Sequence, residues 1–249
     1  MYWKDKWTFP DSNEYEIKYA GRYGAKGEKR AKKAKATPEQ IEKVNQRNRE
    51  KKVRRLIKLN FKVNDLWCTL LYPAGTRKSV EEVKRDLERF LDSLRKKYKR
   101  RGEELKFIYR MEIGARGGIH IHILVNRIRD GDLLIQSSWK PGRVNYEGMQ
   151  EDITALAEYI VKKPQGTAKE HIEESEDPKA YMKYSSSRNL IRPEPERKLY
   201  TRWTVRDLID NGPKPTPGYY IDKDSIVSGV NKYTGMSYFY YTEKKVRSG

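Results

Sequence analysis

Two of the chain's three histidines, His120 and His122, stand one residue apart in the run GGIHIHILVN (117–126). On a β-strand, alternate side chains share a face. The spacing therefore predicts that His120, His122 and Leu124 point one way and Ile119, Ile121, Ile123 and Val125 the other. Two imidazoles on one face at that separation can hold a single metal ion. The preceding run, ELKFIYRMEI (104–113), also alternates. With GARGG (114–118) as the turn, Ile113 pairs with Ile119 and Glu112 with His120. Directly opposed residues share a face with Cβ atoms about 5 Å apart. Two histidines and a carboxylate leave coordination positions open, which is how catalytic metals are held. The competing expectation is a Glu–His cross-strand pair with no metal. His171, in the polar stretch KEHIEESEDPK (169–179), is assigned no role.

A candidate nucleophile follows in MQEDITALAEYIVKK (149–163), read as a helix closed by Pro164. Its core face is Ile153, Leu156, Ala157 and Ile160. Tyr159 and Lys162, three apart, stand side by side away from the centre of that stripe. A lysine beside a phenol stabilises the phenolate or holds a phosphate. The chain has 18 tyrosines, so a packed aromatic is the alternative reading. Tyr181 and Tyr184 have no lysine three places on, and Tyr109 points away from the face bearing Glu112.

These side chains need elements to carry them. DLWCTLLYP (65–73) reads as a strand stopped by Pro73. Residues 79–102 have apolar positions at 80, 83, 87, 90, 91, 94 and 98, which is helical spacing. Ser79 is placed as N-cap, Glu82 at N3 and Gly102 at the far end. Thr37-Pro38-Glu39-Gln40 starts another helix, running to about Leu59. It presents Arg47, Lys51, Arg54, Arg55 and Lys58 for contact with DNA phosphates. The order strand, helix, strand, strand, helix predicts an α+β fold: an antiparallel sheet with helices packed mainly on one face. The expected division is a basic arm and helix over 1–60, the domain holding the site over 61–200, and a Tyr-rich extension over 201–249.

Composition narrows the partner. Fifty-four Lys and Arg against 35 Asp and Glu give a formal charge of +19, the mark of a polyanionic partner. Residues 26–58 hold 14 Lys/Arg and four Glu, a net +10 (14 − 4). KGEKRAKKAKA (26–36) reads as a flexible arm. Apolar runs fall far short of the roughly 20 residues a membrane span needs, which sets nucleic acid ahead of a membrane. The N-terminal stretch has no apolar h-region of a secretory signal. The single Cys68 excludes an intramolecular disulfide and fits a reducing cytoplasm. No P-loop motif occurs.

Taken in order, WCTLLYP (67–73), GIHIHI (118–123) and AEYIVKK (157–163) resemble the three motifs of HUH endonucleases. The nearest likeness is to the rolling-circle replication initiators of small phages and plasmids. It extends through RRLIKLNF (54–61), LRKKYKRRGEELKFIYRMEIG (94–114), SSWKPGRV (137–144) and SSSRNL (185–190). WCTLLYP departs from the first motif, which is usually richer in Thr and Phe. The resemblance implies a sheet-and-helix fold related to RNA-recognition motifs, with His120, His122 and Glu112 as metal ligands. Tyr159 then matches the single nucleophilic tyrosine and Lys162 the lysine that follows it. It implies a divalent cofactor, Mg²⁺ or Mn²⁺, and as partner the single-stranded DNA of a replication origin, presented as a stem-loop. Unwinding and extension fall to a separate helicase and polymerase. A relaxase or transposase with the same chemistry is the neighbouring reading. A nucleic-acid-binding module without catalysis, its histidines packed or holding structural Zn²⁺, is the distant one.

Overall fold

The computed structural model describes residues 1–21, 28–175, 177–201 and 205–246; Lys26 and Gly27 of the expected arm lie outside them. In chain order the elements are β1 (Tyr2–Thr8), β2 (Ser12–Tyr19), α1 (Pro38–Asn60), β3 (Leu66–Leu71), α2 (Val80–Lys99), β4 (Phe107–Ile113), β5 (Ile119–Val125) and α3 (Gly131–Ser138). They continue with β6 (Arg143–Gly148), α4 (Thr154–Val161), α5 (Thr167–Glu173), α6 (Pro178–Met182), β7 (Tyr184–Ser186), β8 (Glu196–Tyr200), α7 (Arg206–Asn211), β9 (Tyr219–Asn231) and β10 (Met236–Lys245). Among the described residues the architecture is α+β, with two open antiparallel five-stranded sheets and seven helices. The chain divides into a central unit, 45–191, and a terminal unit made of 1–44 and 192–249.

The central sheet runs β6-β3-β5-β4-β7. Its strands alternate as the sequence predicts. Leu66, Cys68 and Leu70 of β3, Phe107, Met111 and Ile113 of β4, and Ile121, Ile123 and Val125 of β5 form one apolar face. Against it lies α2, which buries every apolar position of its 3.6-residue stripe from Val80 to Tyr98. Its start is fixed by the capping box: Ser79 Oγ accepts from the Glu82 amide, and the Glu82 carboxylate accepts from the Ser79 amide. Trp139, after α3, fills the same core and donates from Nε1 to the Leu71 carbonyl at 3.1 Å. Burial here pushes the Cys68 thiol up to about 12, so this thiol is packing and not a nucleophile.

The opposite face, which bears the histidines, is not wholly open. Ile108 and Leu124 pack there with Val53, Leu56 and Ile57 of α1 and with Ala157 and Ile160 of α4. The helices of the chain thus cover part of both faces, and the histidines lie beyond the edge of this second core. Thr37 and Gln40 cap α1 reciprocally, the Gln40 amide reaching Thr37 Oγ1 at 3.3 Å and the Thr37 amide reaching Gln40 Oε1 at 3.0 Å. One expected cation is misplaced: Arg55 is 8 % exposed and sits among the buried positions of α1, so the helix does not present it.

The helix expected over 149–163 is shorter at both ends. Residues before Thr154 are held by β-type bonds, with the Met149 amide donating to Asp65 and the Asn64 amide to Met149. At the other end α4 stops at Val161, and Lys162 is its C-cap with extended backbone, ψ 144°. Lys163 precedes a proline, a position that disfavours the helical region, so the chain has turned out of the helix by then.

In the terminal unit the sheet runs β8-β1-β2-β10-β9. The expected Tyr-rich extension supplies β9 and β10, a hairpin whose second strand pairs with β2. Segments expected as separate flanks, the first residues and the last, therefore share one sheet. Its core is Tyr2, Tyr15, Ile17, Val205, Met236, Phe239 and Tyr241. Asp5, fully buried, takes both oxygens to Arg197 at 2.6 and 2.9 Å and one to Lys18 at 2.9 Å, tying β8, β1 and β2 together. No described helix is long and apolar enough to cross a membrane.

Candidate active site

Register builds the site. On β4 and β5, Glu112 lies directly opposite His120 and Arg110 opposite His122, across a turn closed by the Gly114 amide bonding to the Gly118 carbonyl. On the other side of β5, Thr69 of β3 lies opposite His122 and Leu71 opposite His120. Period-2 geometry puts all of these on the face away from α2. One row across the sheet reads Asn145, Thr69, His122, Arg110, Tyr184.

Glu112, His120 and His122 offer three ligand atoms within 4.8 Å of one another. Nε2 of His122 is 3.1 Å and Nε2 of His120 3.6 Å from Glu112 Oε2. From α4, the Tyr159 hydroxyl donates to Glu112 Oε2 at 2.5 Å and lies 2.7 Å from His122 Nε2. Lys162 Nζ meets the other carboxylate oxygen at 2.7 Å and stands 3.8 Å from the centre of the Tyr159 ring. All four expected groups, the carboxylate, the imidazoles, the phenol and the ammonium, are thus within one cluster. Lys162 reaches it from the C-cap of α4 rather than from a further helical turn.

The electrostatics follow from that crowding. Burial alone would raise the Glu112 carboxyl; hydrogen bonds from His120, His122, Lys162 and Tyr159 outweigh it and hold Glu112 ionised, far below the usual carboxylate range. Burial lowers His122, against the opposing pull of Glu112, and so favours neutral imidazole. An ionised carboxylate and a neutral imidazole are the states in which these groups ligate a cation, so this donor set fits a divalent metal. Burial first, then the bond to Glu112, raises the Tyr159 phenol, which stays protonated at neutral pH.

Three contributors were not singled out from the sequence. Thr69 Oγ1 sits 3.1 Å from His122 Nδ1, leaving Nε2 to face the cluster. The Trp67 ring stacks on His122, at 5.5 Å between centroids and 13° between planes, and meets Tyr159 edge-on. Arg110 donates to backbone carbonyls at the end of α4. Alternation of Trp67, Thr69 and Leu71 against the buried Leu66, Cys68 and Leu70 did contain the sidedness of the first two. The pairing of β3 with β5, which brings them to His122, did not follow from it.

The competing tyrosines are sorted by position. Tyr181 is 1 % exposed inside the α2 core, and Tyr109 faces that same core. Tyr184 pairs with Arg110 on the side of the cluster but packs against Leu124's core. His171 lies on α5 beside Gly117, outside the cluster. Of the basic residues on α1, Arg47 is exposed and Lys51, Arg54 and Lys58 are half-buried.

Residues 65–164 match the family model for replication-associated proteins of the ORF2 type. The matched segment runs from the start of β3 to just beyond α4, so it contains every residue of the cluster. It agrees with the resemblance to rolling-circle initiators. Neither the curated proteins nor the solved structures contain a match to the chain.

Proposed function

We propose that the chain initiates rolling-circle replication by nicking and rejoining single-stranded origin DNA through a 5′-phosphotyrosyl intermediate on Tyr159. The observation that carries this reading is the position of one hydroxyl: Tyr159 lies 2.5 Å from Glu112 and 2.7 Å from His122, inside a two-histidine, one-carboxylate cluster. The match of this segment to a replication-associated family supports the same reading.

Glu112, His120 and His122 would hold a divalent ion, Mg²⁺ or Mn²⁺. When bound, it supplies Lewis-acid polarisation of a phosphate and offsets charge in the transition state. The rest falls to this chain's side chains. The oxygen of Tyr159 forms a bond to phosphorus as the bond from phosphorus to the 3′ oxygen breaks. The DNA is left with a free 3′-hydroxyl and its 5′ phosphate on the tyrosine. Because the phenol is protonated at neutral pH, its proton must be taken up as attack proceeds, and Glu112 is the acceptor it already faces. Lys162, one ammonium beside both ring and carboxylate, offsets the charge that develops on the phosphate oxygens. The phosphotyrosyl bond conserves the energy of the broken link, so a 3′-hydroxyl can later reverse the step without a nucleotide cofactor.

Arg47, Lys51, Arg54 and Lys58 are assigned to backbone contact with the strand. Unwinding and extension of the 3′ end are assigned to a separate helicase and polymerase, acting with this protein in the cytoplasm. The test is incubation with Mn²⁺ and a labelled stem-loop from the genetic element encoding the protein. The expected product is a protease-sensitive, covalently shifted band that Tyr159→Phe abolishes while DNA binding persists. DNA bound with no adduct would instead make the chain a binding module.

A further inference from the structure

The helix carrying Tyr159 is short and has no side-chain cap of its own at its end. α4 has eight residues, fewer than an isolated helix needs to persist in water. No glycine follows it, and the Lys162 amide, 3.3 Å from the Tyr159 carbonyl, makes the last bond of the turn. Side chains from elsewhere in the unit take up the terminal carbonyls. Arg110 of β4 donates from Nη1 to the carbonyls of Tyr159 at 3.2 Å, Ile160 at 3.1 Å and Lys162 at 2.6 Å. Gln46 of α1 donates from Nε2 to the remaining one, Val161, at 3.0 Å. Four successive carbonyls, 159 to 162, are thus closed by two side chains.

Arg110 is an odd residue to bury. It is 2 % exposed, its Nε finds no partner among the described residues, and it sits in register between His122 and Tyr184. Packing alone would favour an apolar side chain in a row that continues the core of Leu124 and Ile108. A guanidinium suits the end of a helix, where cations are stabilised, and its fork can reach several acceptors at once, which a lysine cannot. Two residues along the same strand stands Glu112. One strand therefore holds both the carboxylate that receives the Tyr159 hydroxyl and the clamp on the backbone that carries Tyr159.

We propose that Arg110, seconded by Gln46, is a positioning residue for the nucleophile: it fixes the end of α4 on β4, so that Tyr159 meets the metal-type cluster at a set distance. This rests on the reading of Tyr159 as the nucleophile. Displacing a reacting atom by about 1 Å can cost on the order of 100-fold in rate. Arg110 touches no reacting atom, so its removal should act on the rate at saturating DNA and not on affinity.

The experiment compares wild type, Arg110→Met, Arg110→Lys, Gln46→Ala and Tyr159→Phe. It measures Mn²⁺ affinity, single-stranded DNA affinity by anisotropy, and the single-turnover rate of adduct formation at saturating DNA. Arg110→Met is expected to lose about 100-fold in rate while both affinities stay within about threefold, and Arg110→Lys to recover only part of it. A folded Arg110→Met with wild-type rate overturns the proposal, as does a loss of metal and DNA affinity in step with the rate, which would make Arg110 merely structural. If Arg110→Met does not fold, Gln46→Ala decides: a reduced rate at unchanged affinities supports the clamp, and an unchanged rate overturns it. An adduct from Tyr159→Phe would instead sink the nucleophile reading, and the proposal with it.

Discussion

Thr69 and His122 face each other across β3 and β5, with the threonine hydroxyl 3.1 Å from Nδ1 of the imidazole. The hydroxyl engages one ring nitrogen and leaves the other, Nε2, to the cluster with Glu112 and Tyr159. Partners of this kind set the orientation and tautomer of a ligating histidine. Thr69→Val keeps the shape and removes the oxygen. It is expected to weaken Mn²⁺ binding by about 10- to 100-fold with little change in thermal stability. Calorimetric titration with Mn²⁺ would check it, and unchanged affinity would remove Thr69 from the site.

Asp5 gives the terminal unit a pH dependence of known sign. Burial would raise its carboxyl, but hydrogen bonds from Arg197 and Lys18 outweigh it and the folded-state value is depressed. A depressed carboxyl stabilises above its unfolded pKa, near 4, and loses that contribution as pH falls through and below it. Asp5→Asn should cost about 2–3 kcal/mol at pH 7, the order of a charged hydrogen-bonded group. The gap in Tm between wild type and variant should narrow between about pH 5 and pH 3. A gap that stays constant over that range would mean that the ion pairs do not carry the effect.

Gly142 stands where β6 begins. A Cβ there would lie 2.1 Å from the Leu71 carbonyl oxygen, a backbone atom that cannot swing aside. Gly142→Ala should push β6 from β3 beside the histidine face, with a loss of roughly 1–3 kcal/mol. Hydrogen exchange should quicken at Arg143 and Leu71 before it does on β4. Protection unchanged at those amides would contradict the close approach.

The basic surface of α1 is expected to add affinity and no chemistry. Replacing Arg47 and Lys51 by Gln should reduce the slope of log K against log salt by about 0.7 for each single-strand phosphate that is no longer neutralised. The adduct-forming rate at saturating DNA should not change. An unaltered salt slope would assign this surface to another partner.

Most of the cluster was legible because it rests on one short hairpin. Period-2 alternation fixes which residues of 107–113 and 119–125 share a face, and a five-residue turn fixes the register that sets Glu112 against His120. The stripe Ile153, Leu156, Ala157, Ile160 likewise marks how α4 docks. What long-range pairing decides was hidden. Thr69 and Trp67 join the site only because β3 lies beside β5, and Arg110 has a purpose only once α4 is laid over β4. The terminal sheet was harder still. In YWKDKWT, aromatic and charged residues fall on both faces, and Asp5 is buried by partners at 18 and 197. Alternation of hydrophobicity, the usual sign of a strand, is therefore blurred.

The placement of β2 beside β10 sets an order on biosynthesis. Between Tyr19 and Met236 lie 216 residues, which include all of the central unit. At ribosomal speed the hairpin of β1 and β2 waits on the order of tens of seconds for the strand that completes its edge. Throughout that interval the residues of β2 from Ser12 to Ile17, which pair with β10 in the finished protein, have no strand on that side. The nascent chain thus carries an unprotected strand edge until β10 emerges, and chain breakage or stalling late in the message would leave it open to pairing with other chains.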